Sequence, residues 1–274
     1  MRLGLALPSF VEDPEIPIAV ARAAEASGLH GVFVYDHVFR TTASGELRPA
    51  LECTALAGAV ASETRRIAVG PLVARATLRP PATLAAALDT LLRIAGPRVL
   101  VGLGAGDEES RPEMETFGLP FGTEADRVMA LRRTTRTLRD RGYPLWIGGR
   151  ARHVGLVAAE GADGWNRWGG STATFAREAA EVGSLVERLG RAPGDFTPSW
   201  GGLVLLGRTE HDAAAKVERF RPGPNVLVGG PERVAEGLRA YLQAGARWIV
   251  VGPLDSSDPE NAAILGESVL PLLG

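Results

Sequence analysis

The stretch Gly31-Val32-Phe33-Val34-Tyr35-Asp36-His37 decides how the rest of the chain is interpreted. Its run of β-branched and aromatic residues is typical of a strand that is buried in a parallel sheet. The run ends in an acid and an imidazole, and α/β folds carry their chemistry at the carboxyl ends of such strands. Asp36 and His37 are therefore candidate functional residues, although such a pair also suits a loop cap followed by a turn.

The composition restricts the class of protein. With 274 residues, 45% of them hydrophobic, the chain can bury a large core. A formal net charge of −2 predicts neither a nucleic-acid partner nor binding to an anionic membrane surface. No apolar run approaches the roughly 20 residues that span a bilayer, and the N-terminal residues do not resemble a signal peptide, so we expect a cytoplasmic protein. A single cysteine excludes an internal disulfide, and the four histidines lack zinc-ligand spacing, so no metal site is predicted.

Predicted strands and helices alternate along the whole chain. Apolar runs bounded by glycine and proline predict strands, and segments with a helical apolar period predict the helices between them. The predicted strands are Leu3–Leu7, Val32–Tyr35, Arg66–Gly70, Val99–Leu103, Leu145–Ile147, Asp163–Asn166, Leu203–Leu206 and Trp248–Val251. Eight strand-helix pairs predict an α/β fold of the (β/α)8 TIM-barrel type. Because no flexible linker divides the chain, we expect one domain over residues 1–274 rather than two doubly wound domains.

Several motifs occur in order, most of them at the ends of predicted strands. They are Asp36-His37, Arg66–Gly70 with Arg79–Ala82, Arg98–Gly106, Phe117–Phe121 with Arg127, Pro144–Gly149, Ala162–Asn166 and Gly230–Val234. Together they span almost the whole chain. The pattern resembles the luciferase-like flavin- and deazaflavin-dependent oxidoreductases, a family of TIM barrels.

The resemblance implies an oxidoreductase that acts on a small organic substrate, whose identity the sequence does not give. The F420-dependent members have an Asp-His pair where this chain has Asp36-His37, which favours the deazaflavin coenzyme F420 over FMN as cofactor. Hydride would then pass between the deazaflavin and the substrate. Two alternatives stay open: an FMN-dependent monooxygenase on the same barrel, and a flavin- or deazaflavin-binding protein without turnover.

The resemblance also implies roles for three acidic and basic side chains. His37 would remove a hydroxyl proton from the substrate, for which an imidazole with a pKa near 6.5 is suited at neutral pH. Asp36 would position the imidazole or contact the cofactor ring. Asp107, or Glu108 beside it, stands where those enzymes keep an acid that protonates the reduced ring. A solvated acidic turn is the alternative for both.

Two glycine segments predict close approach of the backbone to a cofactor. Gly148-Gly149 opens a helix directly after a strand, where free N–H groups and the helix dipole favour a phosphate, with Arg150 as charge support. Gly104 and Gly106 form a similar segment after the fourth strand. The alternative is that the glycines only permit tight turns.

In the family the cofactor ring rests on the third strand, often over a cis peptide bond that does not precede proline. Alignment on Gly70 places this bond at Leu72-Val73, which would make both residues cofactor contacts. Gly70-Pro71 is a rival location, because the cis form is far less costly before proline.

The substrate pocket departs most from the family pattern. An aromatic wall would come from Phe39, since the tryptophan that relatives carry near this point is missing, and a polar loop is predicted over Thr41–Glu46. Trp165 and Asn166 end the sixth predicted strand and are candidates for lining the pocket. Shortened insertion loops predict an open site. The Ala-rich helices predicted over Pro49–Ser62 and Pro81–Ile94 are compatible with a homodimer, although apolar helix faces also cover barrels.

Overall fold

The computed structural model describes residues 1–41 and 45–274. The predicted polar loop after Thr41 therefore lies partly outside the described residues. The strands are β1 Arg2–Ala6, β2 Gly31–Val34, β3 Phe39–Thr41, β4 Leu47–Pro49, β5 Ala68–Pro71, β6 Ala74–Arg75, β7 Val101–Gly104, β8 Leu145–Gly148, β9 Gly164–Trp168, β10 Thr197–Leu206, β11 Leu227–Gly229 and β12 Trp248–Pro253. The helices are α1 Glu15–Ala26, α2 Cys53–Glu63, α3 Pro81–Ala95, α4 Arg111–Thr116, α5 Glu124–Leu138, α6 Ala151–Gly161, α7 Thr172–Arg188, α8 Glu210–Phe220, α9 Pro231–Gln243 and α10 Glu260–Ala263.

Parallel strands form a barrel around which the helices are wrapped. The strands run in the order β5-β2-β1-β12-β10-β9-β8-β7-β6. Apart from β3 and β4, which form a separate hairpin, and β11, the order follows the chain, and β1 and β12 lie side by side. A bridge between Val69 and Val99, with a 3.1 Å bond from the Leu100 amide to the Val69 carbonyl, brings β5 against the segment that enters β7. The predicted TIM barrel is confirmed. β5 and β6 are two parts of its third strand, and β11 adds a further parallel pairing at the end of β10.

The barrel interior is filled by aromatic rings that lie opposite glycines. Trp248 meets Phe33 and Trp146 edge to face, with ring centroids 5.9 and 5.6 Å apart. A Cβ atom on Gly31 would lie 2.9 Å from both Phe33 and Trp248, so only glycine leaves room for them. A second apolar layer, of aliphatic residues from the outer faces of the strands, packs under the helices.

Several predicted boundaries are wrong, and each has a local cause. The helix expected from Pro49 begins at Cys53, because the Glu52 carboxylate accepts the Ala55 N–H and caps it there. Pro49 instead pairs with Phe39 in the antiparallel β3–β4 hairpin. The seventh predicted strand is six residues longer than expected, since β10 starts at Thr197.

Glycines within strands account for the underestimate of β10. A Cβ atom on Gly201 would lie 2.4 Å from the Trp168 ring, and one on Gly202 would lie 2.3 Å from the Trp200 ring. The pair therefore makes room for two indoles, although in the sequence it interrupts an apolar run. In the part of the chain that the structure describes, no helix is long and apolar enough to cross a bilayer.

Candidate active site

A cavity of about 1250 Å³ lies at the carboxyl ends of β1, β2, β10 and β12. Its aromatic wall is formed by Phe10, Tyr35, Phe39 and Trp168. Its volume exceeds the range of about 300–1,000 Å³ that is usual for one small ligand. The end of the barrel at which it opens is the one that carries catalytic groups in this fold.

His37 lies in this cavity and is held by a carboxylate that the sequence did not point to. The His37 Nδ1 atom is 2.6 Å from Glu113 Oε1, and the imidazole side chain keeps 38% of its surface exposed. Glu113 comes from α4, is buried, and also accepts the Val38 N–H at 2.8 Å. Burial alone would raise the pKa of Glu113, but the hydrogen bonds from His37 and Val38 and the charge of Arg75 outweigh it and lower that pKa.

Asp36 does not position the imidazole, and this part of the prediction is corrected. Its carboxylate is buried and accepts the Arg75 N–H at 2.8 Å. Both oxygens also bind the Arg79 guanidinium, at 2.7 and 3.0 Å, and Arg79 pairs further with Glu52. Asp36 thus ties the end of β2 to the segment after β6, and Glu113 takes the orienting place beside His37.

Asp107 acts as a helix cap in the structure. Its carboxylate accepts the Ser110 N–H at 3.2 Å while the Ser110 hydroxyl accepts the Asp107 N–H at 3.1 Å, a reciprocal capping box. The neighbouring Glu108 pairs with Arg111 at 2.7 Å on the surface. The proton-donor role for either acid remains a prediction, and the geometry places both in an exposed, capped turn.

The cis peptide bond is at Leu72-Val73, as predicted. It separates β5 from β6 and turns the Val73 side chain towards three glycines of the neighbouring strands. A Cβ atom on Gly104 or Gly148 would lie 2.5 Å from a Val73 methyl, and one on Gly102 would lie 3.1 Å from it. In the structure, the lack of Cβ atoms at Gly104 and Gly148 therefore serves the packing of Val73. Gly106 has a φ of +76° and makes the turn after β7.

Two amides at the predicted phosphate site before α6 donate to groups of the chain. The Gly149 N–H donates to the Asn166 carbonyl at 3.0 Å, and the first amide of α6, that of Ala151, donates to Glu178 Oε2 at 3.3 Å. Glu178 is buried and also binds Arg167 at 2.9 Å. A carboxylate from α7 thus lies at the start of α6, Arg150 is exposed, and phosphate binding by this segment remains a prediction.

Of the three residues predicted to line the pocket, only Phe39 does so. Trp165 points to the helices, stacks on Phe175 and donates from Nε1 to the Gly149 carbonyl at 2.8 Å. Asn166 is buried and donates to the Ser199 hydroxyl at 2.9 Å. The pocket residue of this strand is Trp168, which the prediction missed because it ended the strand at Asn166.

The cavity lining also includes residues of α8 and of the segment after β12. Lys216 of α8 binds Asp255 at 2.6 Å, and Arg219 and Phe220 follow on the same helix. Lys216 is the only lysine in the chain. The cavity lining thus combines aromatic rings, the His37 imidazole and a Lys216–Asp255 ion pair.

Comparison with known proteins places this chain in a family. The family model described as luciferase-like monooxygenase matches residues 1–225. The chain belongs to the luciferase-like monooxygenase family. The members of this family are oxidoreductases. Some of the proteins similar to this chain are named as F420-dependent dehydrogenases, and others are named as monooxygenases.

Three similar proteins are one relative by sequence and two solved structures of the same fold. An F420-dependent glucose-6-phosphate dehydrogenase of Nakamurella multipartita is 28% identical over 283 residues, covering 88% of this chain and 79% of that protein. The structure of an F420-dependent secondary alcohol dehydrogenase superposes with a TM-score of 0.86 at 16% identity, covering 100% and 99% of the two chains. The EDTA monooxygenase of Chelativorans sp. BNC1 gives 0.82 at 16% identity, covering 100% and 93%.

Proposed function

We propose that this protein is an F420-dependent oxidoreductase in which His37 exchanges a proton with the substrate while hydride passes between substrate and deazaflavin. The observation that carries the proposal is the His37 imidazole in the cavity, held at 2.6 Å by the buried Glu113 carboxylate. A base held by a second group and open to a cavity is the arrangement that general acid-base catalysis requires.

Glu113 decides which nitrogen of His37 is the base. A carboxylate only accepts hydrogen bonds, so the bond at Nδ1 keeps the proton on that nitrogen in the neutral imidazole. The lone pair is then on Nε2, which is the atom left to accept a substrate hydroxyl proton. After the transfer, the imidazolium forms beside an ionised carboxylate, which stabilises its charge.

The remaining cavity residues support this assignment. When bound, the deazaflavin supplies the carbon that accepts or gives the hydride. The cavity around His37 is lined by four aromatic rings, which limit the access of water to the imidazole: Phe10, Tyr35, Phe39 and Trp168. Lys216 and Asp255 also line the cavity and would bind a polar substrate group.

The choice of F420 over FMN is supported by the Asp36-His37 pair and by the names of the F420-dependent relatives. The monooxygenases of the same fold support the rival FMN-dependent function. Side-by-side titration of the purified protein with F420 and with FMN, followed by fluorescence, distinguishes the two. We expect F420 to bind with a Kd of about 1 μM or less, near −8 kcal/mol, and FMN to bind more weakly. Tighter binding of FMN would contradict the proposal.

The role of His37 is tested by the His37→Ala variant. We expect turnover to fall by about 10²–10⁴-fold, the usual contribution of a general base, while F420 binding is retained. Turnover is followed as the change in F420 fluorescence with a panel of secondary alcohols and sugar phosphates, the substrate classes in the names of the relatives. His153→Ala is the matched control, since His153 pairs with Glu124 away from the cavity. Unchanged turnover in His37→Ala would remove this residue from the mechanism.

A further inference from the structure

Arg75 is a buried arginine whose hydrogen bonds are incomplete. It is 4% exposed, and its Nη2 atom donates to Glu113 Oε2 at 2.8 Å. Among the described residues, its Nε and Nη1 atoms have no acceptor, although both are closed off from solvent. A guanidinium carries five N–H groups, so three of them are unpaired in the interior. Buried donors of a charged group are costly to leave without a partner, which points to an acceptor supplied by a ligand.

The position of Arg75 indicates where that ligand lies. Side chains two residues apart on a strand share a face, so Arg75 follows Val73 on the face that meets the glycines of β7 and β8. The intervening Ala74 packs in the outer apolar layer, which agrees with this alternation. Arg75 is also the last residue of β6 and pairs with Gly104. Arg75 therefore lies at the carboxyl end of the barrel, two residues after Val73 of the cis peptide bond.

We infer that the Arg75 guanidinium binds the carbonyl oxygens of the pyrimidinedione half of the cofactor ring, and that it stabilises the negative charge which this half carries in the reduced cofactor. The inference rests on the proposed function, since it requires a bound ring. It does not depend on the choice of cofactor, because F420 and FMN share this half. Planar, forked donors of this kind suit carbonyl and oxyanion acceptors, and charge near this part of the ring tunes its electronics.

Glu113 competes with the ring for Arg75. Its carboxylate lines the cavity, lies against His37 and holds the Nη2 atom of Arg75, so its negative charge offsets that of the guanidinium and weakens the attraction of Nε and Nη1 for ring oxygens. This competition gives the two variants opposite effects on cofactor affinity. Arg75→Gln removes the donors and weakens binding, whereas Glu113→Gln removes the competing charge and strengthens it. A purely structural ion pair would make both variants bind more weakly.

The test measures the Kd of oxidised F420 and FMN by fluorescence, and the midpoint potential of each bound cofactor by dye equilibration. In Arg75→Gln we expect weaker binding of the oxidised form and a further tenfold loss for the reduced form, which lowers the potential of the two-electron couple by about 30 mV. Arg75→Lys, which keeps the charge, should recover part of that shift. Arg191→Gln is the control, because Arg191 donates to the carbonyls of Ala159 and Ala162 far from the cavity.

The outcomes separate this inference from the proposed function. If the unaltered protein binds neither cofactor, both are wrong. If it binds one of them and Arg75→Gln leaves the potential unchanged, or if Arg75→Gln and Glu113→Gln shift the affinity in the same direction, only the inference is wrong. Thermal unfolding of each variant verifies that it is folded. If Arg75→Gln does not fold, the midpoint potential of the cofactor bound to Arg75→Lys tests the inference instead.

Discussion

One carboxylate is shared by His37 and Arg75, which come from different parts of the chain. Glu113 lies 76 positions after His37 and is carried by a six-residue helix, so no local pattern joins the two. Asp36, next to His37 in sequence, is instead held by Arg79. The sequence motif therefore indicated the proposed base but not its partner, because neighbouring side chains at a strand end point in different directions.

The shared carboxylate makes the stability of the protein depend on pH. The folded chain lowers the pKa of Glu113 below its ordinary value of 4.5, through hydrogen bonds that outweigh burial, so folding stabilises the ionised form. This stabilisation is complete above the pKa of the unfolded chain and is lost as the pH falls through the folded value. In Glu113→Gln the group no longer titrates. We expect the free energy of unfolding of this variant, measured with urea, to fall less between about pH 6 and pH 3 than the free energy of unfolding of the unaltered protein. An equal fall in both would contradict the assignment.

At the level of elements, the third strand is shaped by the cis bond and by the glycines beside it. The bond was predicted at its observed position from the family resemblance, whereas β6, β11, α4 and the β3–β4 hairpin were missed. These elements are two to six residues long, too short for an apolar period to be detected. The hairpin and α4 also contribute residues to the cavity, and α4 carries Glu113, which explains why the fold was predicted better than the site.

Packing of Val73 against Gly104 predicts a compensating pair of substitutions. Gly104→Ala places a methyl 2.5 Å from a Val73 methyl and should cost about 1–3 kcal/mol of unfolding free energy, as overpacking does. Adding Val73→Ala should recover part of that loss, so the double variant is more stable than the sum of the single effects predicts. Gly183→Ala on α7 is the control, since nothing lies within 4 Å of the added methyl and a helix gains up to about 1 kcal/mol. Urea unfolding measures all four, and strict additivity would refute the contact.

Glu178 of α7, which accepts the first amide of α6, should cause a large loss of stability when it is removed. Glu178→Ala leaves Arg167, whose side chain is 14% exposed, without its carboxylate, and breaking such a pair costs about 3 kcal/mol or more. Glu181→Ala on the same helix removes an exposed carboxylate that lies 3.8 Å from Arg177, and should cost less than about 1 kcal/mol. Losses of similar size in the two variants, measured by urea unfolding, would show that Glu178 is not a structural anion.

At the scale of the whole molecule, the barrel is held unevenly around its circumference. β10 and β12 are joined over six registered pairs, while β5 meets the segment entering β7 through the Val69–Val99 bridge. The sequence predicted the closed barrel because eight strand-helix units leave few other arrangements. It did not predict where the closure is weakest, since that depends on the interruption of the third strand by Leu72-Val73.

The uneven closure should appear in hydrogen exchange. We expect amides of residues 98–101, beside the short bridge, to exchange before those of β12, because local opening there breaks fewer backbone bonds. Exchange followed by mass spectrometry of peptides from both regions measures the difference. Slower exchange at residues 98–101 than in β12 would contradict this account of the closure.

The only lysine of the chain faces the cavity from α8, and this affects how the protein can be handled in the laboratory. Apart from the amino terminus, amine-directed reagents find one target, Lys216, whose side chain is 22% exposed beside Asp255. Attachment to a surface through amines would therefore tether the protein by the wall of its own cavity and obstruct it. A small fluorophore coupled to the same amine would become a reporter of cavity occupancy without the introduction of a cysteine.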